Sequence, residues 1–379
     1  AKAALRQVIG GLNPGDRFNV IAYHTAVMPL WPAVRDVNAA SAKEAFAFVE
    51  SLRAEGGTNI QEALTSALAG TTPNGMANVL LLLTDGRPTV GSTETDAILN
   101  AVSAANPRGR ARLFVFGVGV DVNTVLLDRL ALENHGAPSF VRPNEDVEPK
   151  VAALYEKIRY PVLTDLAFEL RGLQTSDLLP QVMPDLFKGS QIVLAGRYRK
   201  GGRAEAVLTG RDGAITREFH YIVSAARMGE GLQGDFPARV WATRRIGQLI
   251  DEIRLKKSAE PELVNEIVRL STRFGILTEY TSFLAAETAD HARLAENTVA
   301  AGRILDELKQ REVGAMGWAQ SANNAGRRGA TRAPSAPPPI WFGDADDRDV
   351  NEQQISGVRQ RGNRTFYRRS AGWVDANVS

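Results

Sequence analysis

Cysteine is absent from the 379 residues, which excludes disulfides, thiolate metal sites and a cysteine nucleophile. Histidine is nearly as scarce. His24, His135, His220 and His291 are scattered without metal-ligand spacing, so surface or hydrogen-bonded core roles are expected of them. Net charge is also low: 45 basic and 43 acidic residues leave +2, no global pull toward nucleic acid or anionic membranes. Long hydrophobic runs are missing. The longest, around Val79–Leu83, is strand-sized and far below the roughly 20 residues of a membrane span. An initiator Met is lacking too, and Ala1-Lys2-Ala3-Ala4-Leu5 reads as the middle of an amphipathic helix. A piece of a longer chain is therefore expected, with any signal peptide upstream.

What is present is ordinary globular material, 44% hydrophobic and 23% charged, long enough for more than one domain. The first part alternates strand and helix signals. Ala1–Ile9 is expected helical, Phe18–Tyr23 and Val27–Trp31 are strands, and Ser41–Arg53 is a helix ended by Gly56-Gly57. Thr58 opens the next helix, with Gln61 completing a capping box. The continuous apolar run Val79–Leu83 predicts a strand buried on both faces of a sheet. Helix Glu94–Ala105, strand Leu113–Val118, helix Asn123–Glu133, strand Ser139–Val141 and helix Val147–Arg159 follow. Such alternation predicts an α/β domain with an open parallel sheet over residues 1–160.

After Pro161 the pattern changes. Val162–Leu170, Gln191–Tyr198, Arg203–Thr209 and Ile215–Ile222 predict a β-sandwich or meander. Two amphipathic helices, at about 238–256 and 261–275, carry Ile246, Leu249, Ile250, Leu270 and Phe274 on one side, and Trp241 reads as core. Thr278–Leu284 reads as a further strand closing a β-rich domain at residues 161–285, and 286–312 as an exposed helix. Residues 313–362, rich in Ala, Gly, Arg and Pro, are expected to be a disordered linker, and 363–379 can form a C-terminal hairpin. The basic end, Arg359 to Arg369, reads as a solvated tail, not a nucleic-acid site.

Two segments carry chemistry. Gly56-Gly57-Thr58-Asn59-Ile60 stands at a helix start, and Leu83-Thr84-Asp85-Gly86-Arg87-Pro88-Thr89 directly follows the apolar run. Ligands of open parallel sheets bind outside the carboxyl ends of the strands, where Asp85 falls. The Thr58 hydroxyl and the Asp85 carboxylate are hard oxygen donors suited to Mg²⁺. Taken singly, each segment also has a structural reading, as a helix cap and a turn. Gly117-Val118-Gly119 fails as a dinucleotide loop, because position 122 is Val.

Gly57-Thr58-Asn59 and Thr84-Asp85-Gly86 resemble the second and third pieces of the metal-ion-dependent adhesion site of von Willebrand factor type A domains. Asn13–Tyr23, Phe116–Gly119, Asp121-Val122-Asn123 and Leu127–Leu130 look like the same domain in order. Pro161–Asp165, Leu186–Gly189, Gly196–Tyr198 and Phe274–Phe283 resemble bacterial relatives of the inter-alpha-trypsin inhibitor heavy chains. The resemblance implies a cation-assisted protein-binding or adhesion module, not an enzyme, on an extracytoplasmic protein (periplasmic, cell-surface or secreted). Mg²⁺, or Mn²⁺ or Ca²⁺, would take an acidic side chain of a protein partner as a ligand. The family's first strand, ending Asp-x-Ser-x-Ser, would precede Ala1. This fragment is thus expected to lack that strand, to hold an incomplete site of Thr58 and Asp85, and to bind metal weakly or not at all. A structural scaffold with a vestigial metal site is the alternative. A chelatase-type assembly is disfavoured by the β-rich region, and a hydrolase by the lack of a visible nucleophile and base.

Overall fold

The computed structural model describes residues 2–71, 76–142, 144–226, 236–256, 258–308, 311–332, 339–344, 348–361, 364–370 and 372–376. They fall into two compact units. Unit 1 comprises Ala1–Ala167, Pro184–Ile192 and Thr209–Glu218, and unit 2 comprises Phe168–Met183, Val193–Leu208 and Phe219–Ser379.

Unit 1 opens with α1 (Lys2–Gly11), then β1 (Arg17–Phe18), β2 (Ile21–Tyr23), β3 (Val27–Pro29) and β4 (Arg35–Asp36). The single strand expected over Phe18–Tyr23 is broken at Asn19. Its side chain accepts from Val20 N and Trp31 N and donates to Trp31 O at 2.8 Å, replacing ladder bonds with local ones. Next come α2 (Ala39–Ser51), α3 (Ile60–Ala69), β5 (Asn78–Thr84), α4 (Thr95–Ala105), β6 (Ala111–Val118), α5 (Thr124–Glu133), β7 (Pro138–Val141) and α6 (Val147–Ile158). Strands β5, β6 and β7 pair in parallel, Asn78 with Ala111 through Thr84 with Gly117 and Val115 with Pro138 through Val118 with Val141. Helical crossovers α4 and α5 make that geometry possible.

Strand β6, from Ala111 to Gly117, is buried throughout. Strand β5 is not, contrary to expectation: only Leu82 and Thr84 are buried, and Val79 is 37% exposed. The reason is topological. β5 is an edge, with β6 on one side and no strand on the other among the described residues. Among the described residues β2 pairs with β3 alone, and the Tyr23 hydroxyl reaches across to Leu83 O at 2.9 Å.

A buried ion-pair network anchors the later segments of unit 1. Arg112 on β6 donates to both carboxylate oxygens of Asp185, at 2.5 and 3.1 Å, and to Asp165 at 2.6 Å. The Arg112 and Asp185 side chains are 5% and 3% exposed. Asp165, at φ 52, donates its N–H to Asp185 at 3.0 Å.

The β-rich region contains β8 (Pro161–Arg171), β9 (Thr175–Leu179), β10 (Leu186–Phe187), β11 (Ala195–Tyr198), β12 (Gly202–Asp212) and β13 (Ile215–Ala225). They form a four-stranded sheet in the order β10-β8-β12-β13 and a two-stranded sheet β11-β9. Strands β8, β12 and β13 each carry residues of both units.

In unit 2, α7 (Phe236–Lys256) and α8 (Pro261–Phe274) pack as the amphipathic pattern predicts. Trp241, Ile246, Leu249, Ile250 and Phe274 share one core with the half-buried Leu270. Each such burial contributes roughly 1.5–3 kcal/mol. The strand expected at Thr278–Leu284 is instead a set of turns and a 3₁₀ helix at Ser282–Ala285. The Thr278 and Thr281 hydroxyls take the N–H groups of Tyr280 and Thr278, which a ladder would have needed. Helix α9 spans Leu294–Leu308 and buries Ala301 and Leu305.

The described residues between 313 and 361 differ most from the expected linker. Gly314–Arg328 is helix α10, burying Trp318, Gln320, Ser321 and Asn324. It approaches α7 closely at Gly247, where a Cβ would meet Arg327 Cβ at 3.1 Å. Polar bonds stand in for aliphatic burial. Arg254 donates to Ser321 at 2.9 Å, Tyr280 to Gln320 at 2.9 Å, Arg327 to Glu279 at 2.5 Å and Arg328 to Asp251 at 2.7 Å. Strands β14 (Ile340–Gly343) and β15 (Val350–Gln353) pair, and β16 (Val358–Arg361), β17 (Arg364–Arg369) and β18 (Gly372–Asp375) form a three-stranded sheet. The Pro-rich stretch 333–338 lies outside the described residues.

Candidate metal-binding site

Three loops of unit 1 converge beyond the carboxyl end of β5. The β2–β3 turn supplies His24 and Thr25, the segment before α3 supplies Gly56 to Asn59, and the loop after β5 supplies Thr84 to Val90. Backbone bonds tie them together. Thr58 O accepts from Thr89 N at 3.0 Å and Val90 N at 3.3 Å, and Asn59 N donates to His24 O at 3.0 Å. Threonine hydroxyls complete the clamp: Thr25 Oγ1 accepts from Gly57 N at 3.0 Å, and Thr89 Oγ1 accepts from Thr58 N at 2.8 Å. Gly57 is required at this crossing, since a Cβ there would stand 2.8 Å from Thr89 Oγ1 and closer still to Val90.

The expected capping box of Thr58 and Gln61 does not form. The N-cap of α3 is Asn59, whose Oδ1 accepts from Glu62 N, one residue later than the sequence pattern suggests. Thr58 is thereby relieved of capping. Its Oγ1 lies 3.5 Å from the position of a Cβ on Gly86, within the Thr84-Asp85-Gly86 turn. The turn itself is held by Thr84 Oγ1, which donates to Gly86 O at 3.0 Å. So the two predicted site segments are side by side, with Thr58 half-buried and Asp85 exposed.

The surroundings are polar on one side and closed on the other. Tyr23 is half-buried, its hydroxyl on Leu83 O, and the loss of solvent there, with the Asp85 charge adding to it, pushes its phenol up to about 12 despite the opposing Thr84 hydrogen bond. Arg87 and Asp121, on the loops after β5 and β6, pair at 3.7 Å on the exposed rim. Sequence reasoning missed the clamp residues Thr25 and Thr89, because a hydroxyl's partner across 31 or 32 positions leaves no local signature.

One neutral hydroxyl and one carboxylate are the kinds of donor a hydrated divalent ion takes, with water filling its remaining positions. Among the described residues no group of three or more His, Cys, Asp or Glu could hold a metal. The histidines have other roles: His24 Nδ1 accepts from Ala26 N at 3.2 Å, His220 pairs with Glu205 at 2.9 Å and His291 contacts Leu284 O at 3.0 Å. No helix among the described residues is long and apolar enough to cross a membrane.

Residues 1–140 match the family model of the von Willebrand factor type A domain. Human inter-alpha-trypsin inhibitor heavy chain H4 is 29% identical over 82% of this chain and 35% of its own length. Human heavy chain H2 is 26% identical over 77% of this chain and 33% of its own. The chain thus spans about a third of the length of these curated relatives. A von Willebrand factor type A structure from Catenulispora acidiphila shares the fold, with a TM-score of 0.52 at 18% identity, covering 71% of this chain and 73% of that one. Residues 1–140 are therefore similar to the von Willebrand factor type A domain, and the chain is similar to the inter-alpha-trypsin inhibitor heavy chains over about four-fifths of its length.

Proposed function

We propose that this chain works by binding and not by catalysis, as a protein-binding or adhesion module with a weak divalent-cation site at Thr58 and Asp85. The supporting observation is the displaced cap: Asn59 holds the helix start, so the Thr58 hydroxyl stands beside the Asp85 turn with no structural task there. A divalent ion held by few protein oxygens stays electrophilic and gains from an incoming carboxylate. An acidic side chain of a partner protein is accordingly the ligand proposed, and an extracytoplasmic location follows from the heavy-chain resemblance.

Calorimetry with Mg²⁺ and Mn²⁺ tests this. The expected affinity is weak, on the order of millimolar, because Mg²⁺ dehydrates reluctantly and two protein ligands are few. Thr58→Ala and Asp85→Ala should each abolish the heat without moving the melting temperature. No heat from the unsubstituted chain would favour the scaffold with a vestigial site. Tight Asp85-dependent binding would mean that further residues complete the shell.

A further inference from the structure

Unit 2 contains a cleft of about 880 Å³ along the solvent side of α8, within the roughly 300–1,000 Å³ range of ligand sites. Trp241, Leu270 and Phe274 give it an apolar wall, and Arg197, Arg269 and Arg273 line it as well. Arg269 and Arg273 stand one helical turn apart on α8, on the same exposed face. Neither has a carboxylate within ion-pair distance among the described residues. Like charges at this spacing destabilise a helix, and an anion between them removes that cost.

The third guanidinium, Arg197 on β11, lies 5.4 Å from the Trp241 ring, its nearest carboxylate being Asp177 at 4.0 Å. Arg273 covers the Phe274 ring at 5.2 Å. The cleft's own acids do not cancel this charge. Glu266 is held by Arg245 through two 2.8 Å bonds, which leaves Glu262 against three arginines.

We propose that this cleft binds an acidic peptide segment. The floor runs along α8 from Glu262 to Phe274, about 18 Å at 1.5 Å per residue. An extended peptide of about five or six residues spans that distance. Carboxylates would meet the arginines, and intervening apolar side chains would meet Trp241, Leu270 and Phe274. A compact anion would use the charge but neither the length nor the apolar wall. The proposal rests on unit 2 alone and is independent of Thr58 and Asp85.

The test is fluorescence anisotropy of the 379-residue chain with a labelled hexapeptide, Glu-Glu-Phe-Glu-Glu-Phe, beside one with Lys in place of Glu. The acidic peptide should bind, more weakly as salt rises. The double variant Arg269→Ala/Arg273→Ala should lose on the order of tenfold in affinity with an unchanged melting curve, both side chains being exposed. Asp85→Ala should bind as the parent does. Equal binding of the lysine peptide, no binding, or binding indifferent to the double variant would overturn the proposal. Displacement by equimolar inorganic phosphate would reduce the cleft to a simple anion site, and loss in Asp85→Ala would move the binding to unit 1.

Discussion

Replacing Arg112 by Met is the sharpest test of how unit 1 holds its later segments. The side chains of Arg112 and Asp185 are nearly sealed from water, and two bonds join them. Removing the guanidinium leaves the Asp185 carboxylate buried with one remaining donor among the described residues, the Asp165 N–H at 3.0 Å. Breaking one side of a buried pair in this way costs about 3–5 kcal/mol. Asp185→Asn should cost less, about 1–3 kcal/mol, because Arg112 keeps Asp165 at 2.6 Å and the Asn oxygen still accepts from Asp165 N. The double variant should lose less than the sum of the two, since neither charge is then left unpaired, and the coupling energy should exceed about 1 kcal/mol. Urea unfolding monitored by circular dichroism reads all four proteins, comparing midpoints at constant slope. A loss below about 1 kcal/mol for Arg112→Met, or strict additivity in the cycle, would refute the idea that this pair anchors the Asp165 and Asp185 segments.

Three further predictions follow from the packing. Leu249→Asp puts a charge at a fully buried position of unit 2 and should unfold that core, visible as loss of its melting transition; an unchanged curve counts against the packing of α7 on α8. Asn324→Leu removes the donor to Gly247 O and Asp251 at 2.9 and 2.5 Å, should cost about 1–3 kcal/mol, and should expose Gly314–Arg328 to limited proteolysis that the parent resists. For Tyr23, the folded phenol lies above the unfolded value, near 12 against 10, so its contribution is whole below pH 10 and is lost as pH rises toward 12. Alkaline titration of stability should show that slope in the parent and lose it in Tyr23→Phe, and identical slopes would dismiss Tyr23 as its cause.

Much of the site was legible because its chemistry is contiguous. Gly57-Thr58-Asn59 and Thr84-Asp85-Gly86 are short, and a turn after a strand places Asp85 at the carboxyl end of the sheet whatever surrounds it. The clamp of Thr25 and Thr89 was not legible, nor was the choice of Asn59 over Thr58 as cap, since both residue types cap well and the loop contacts decide between them.

The sequence by itself determined the alternation of strands and helices up to residue 160 and the apolar faces that join α7 to α8, because side-chain periodicity is a property of neighbours along the chain. Only the tertiary structure decided which apolar strand is enclosed. β5 and β6 read alike as buried, yet among the described residues β6 has a strand on each side and β5 on one. Only the tertiary structure also decided that Gly314–Arg328 folds. A helix of Ala, Gly, Asn and Arg has no aliphatic face to announce it, and its stability comes from Asp251, Arg254 and Glu279, carboxylates and a guanidinium supplied from 48 to 77 positions away.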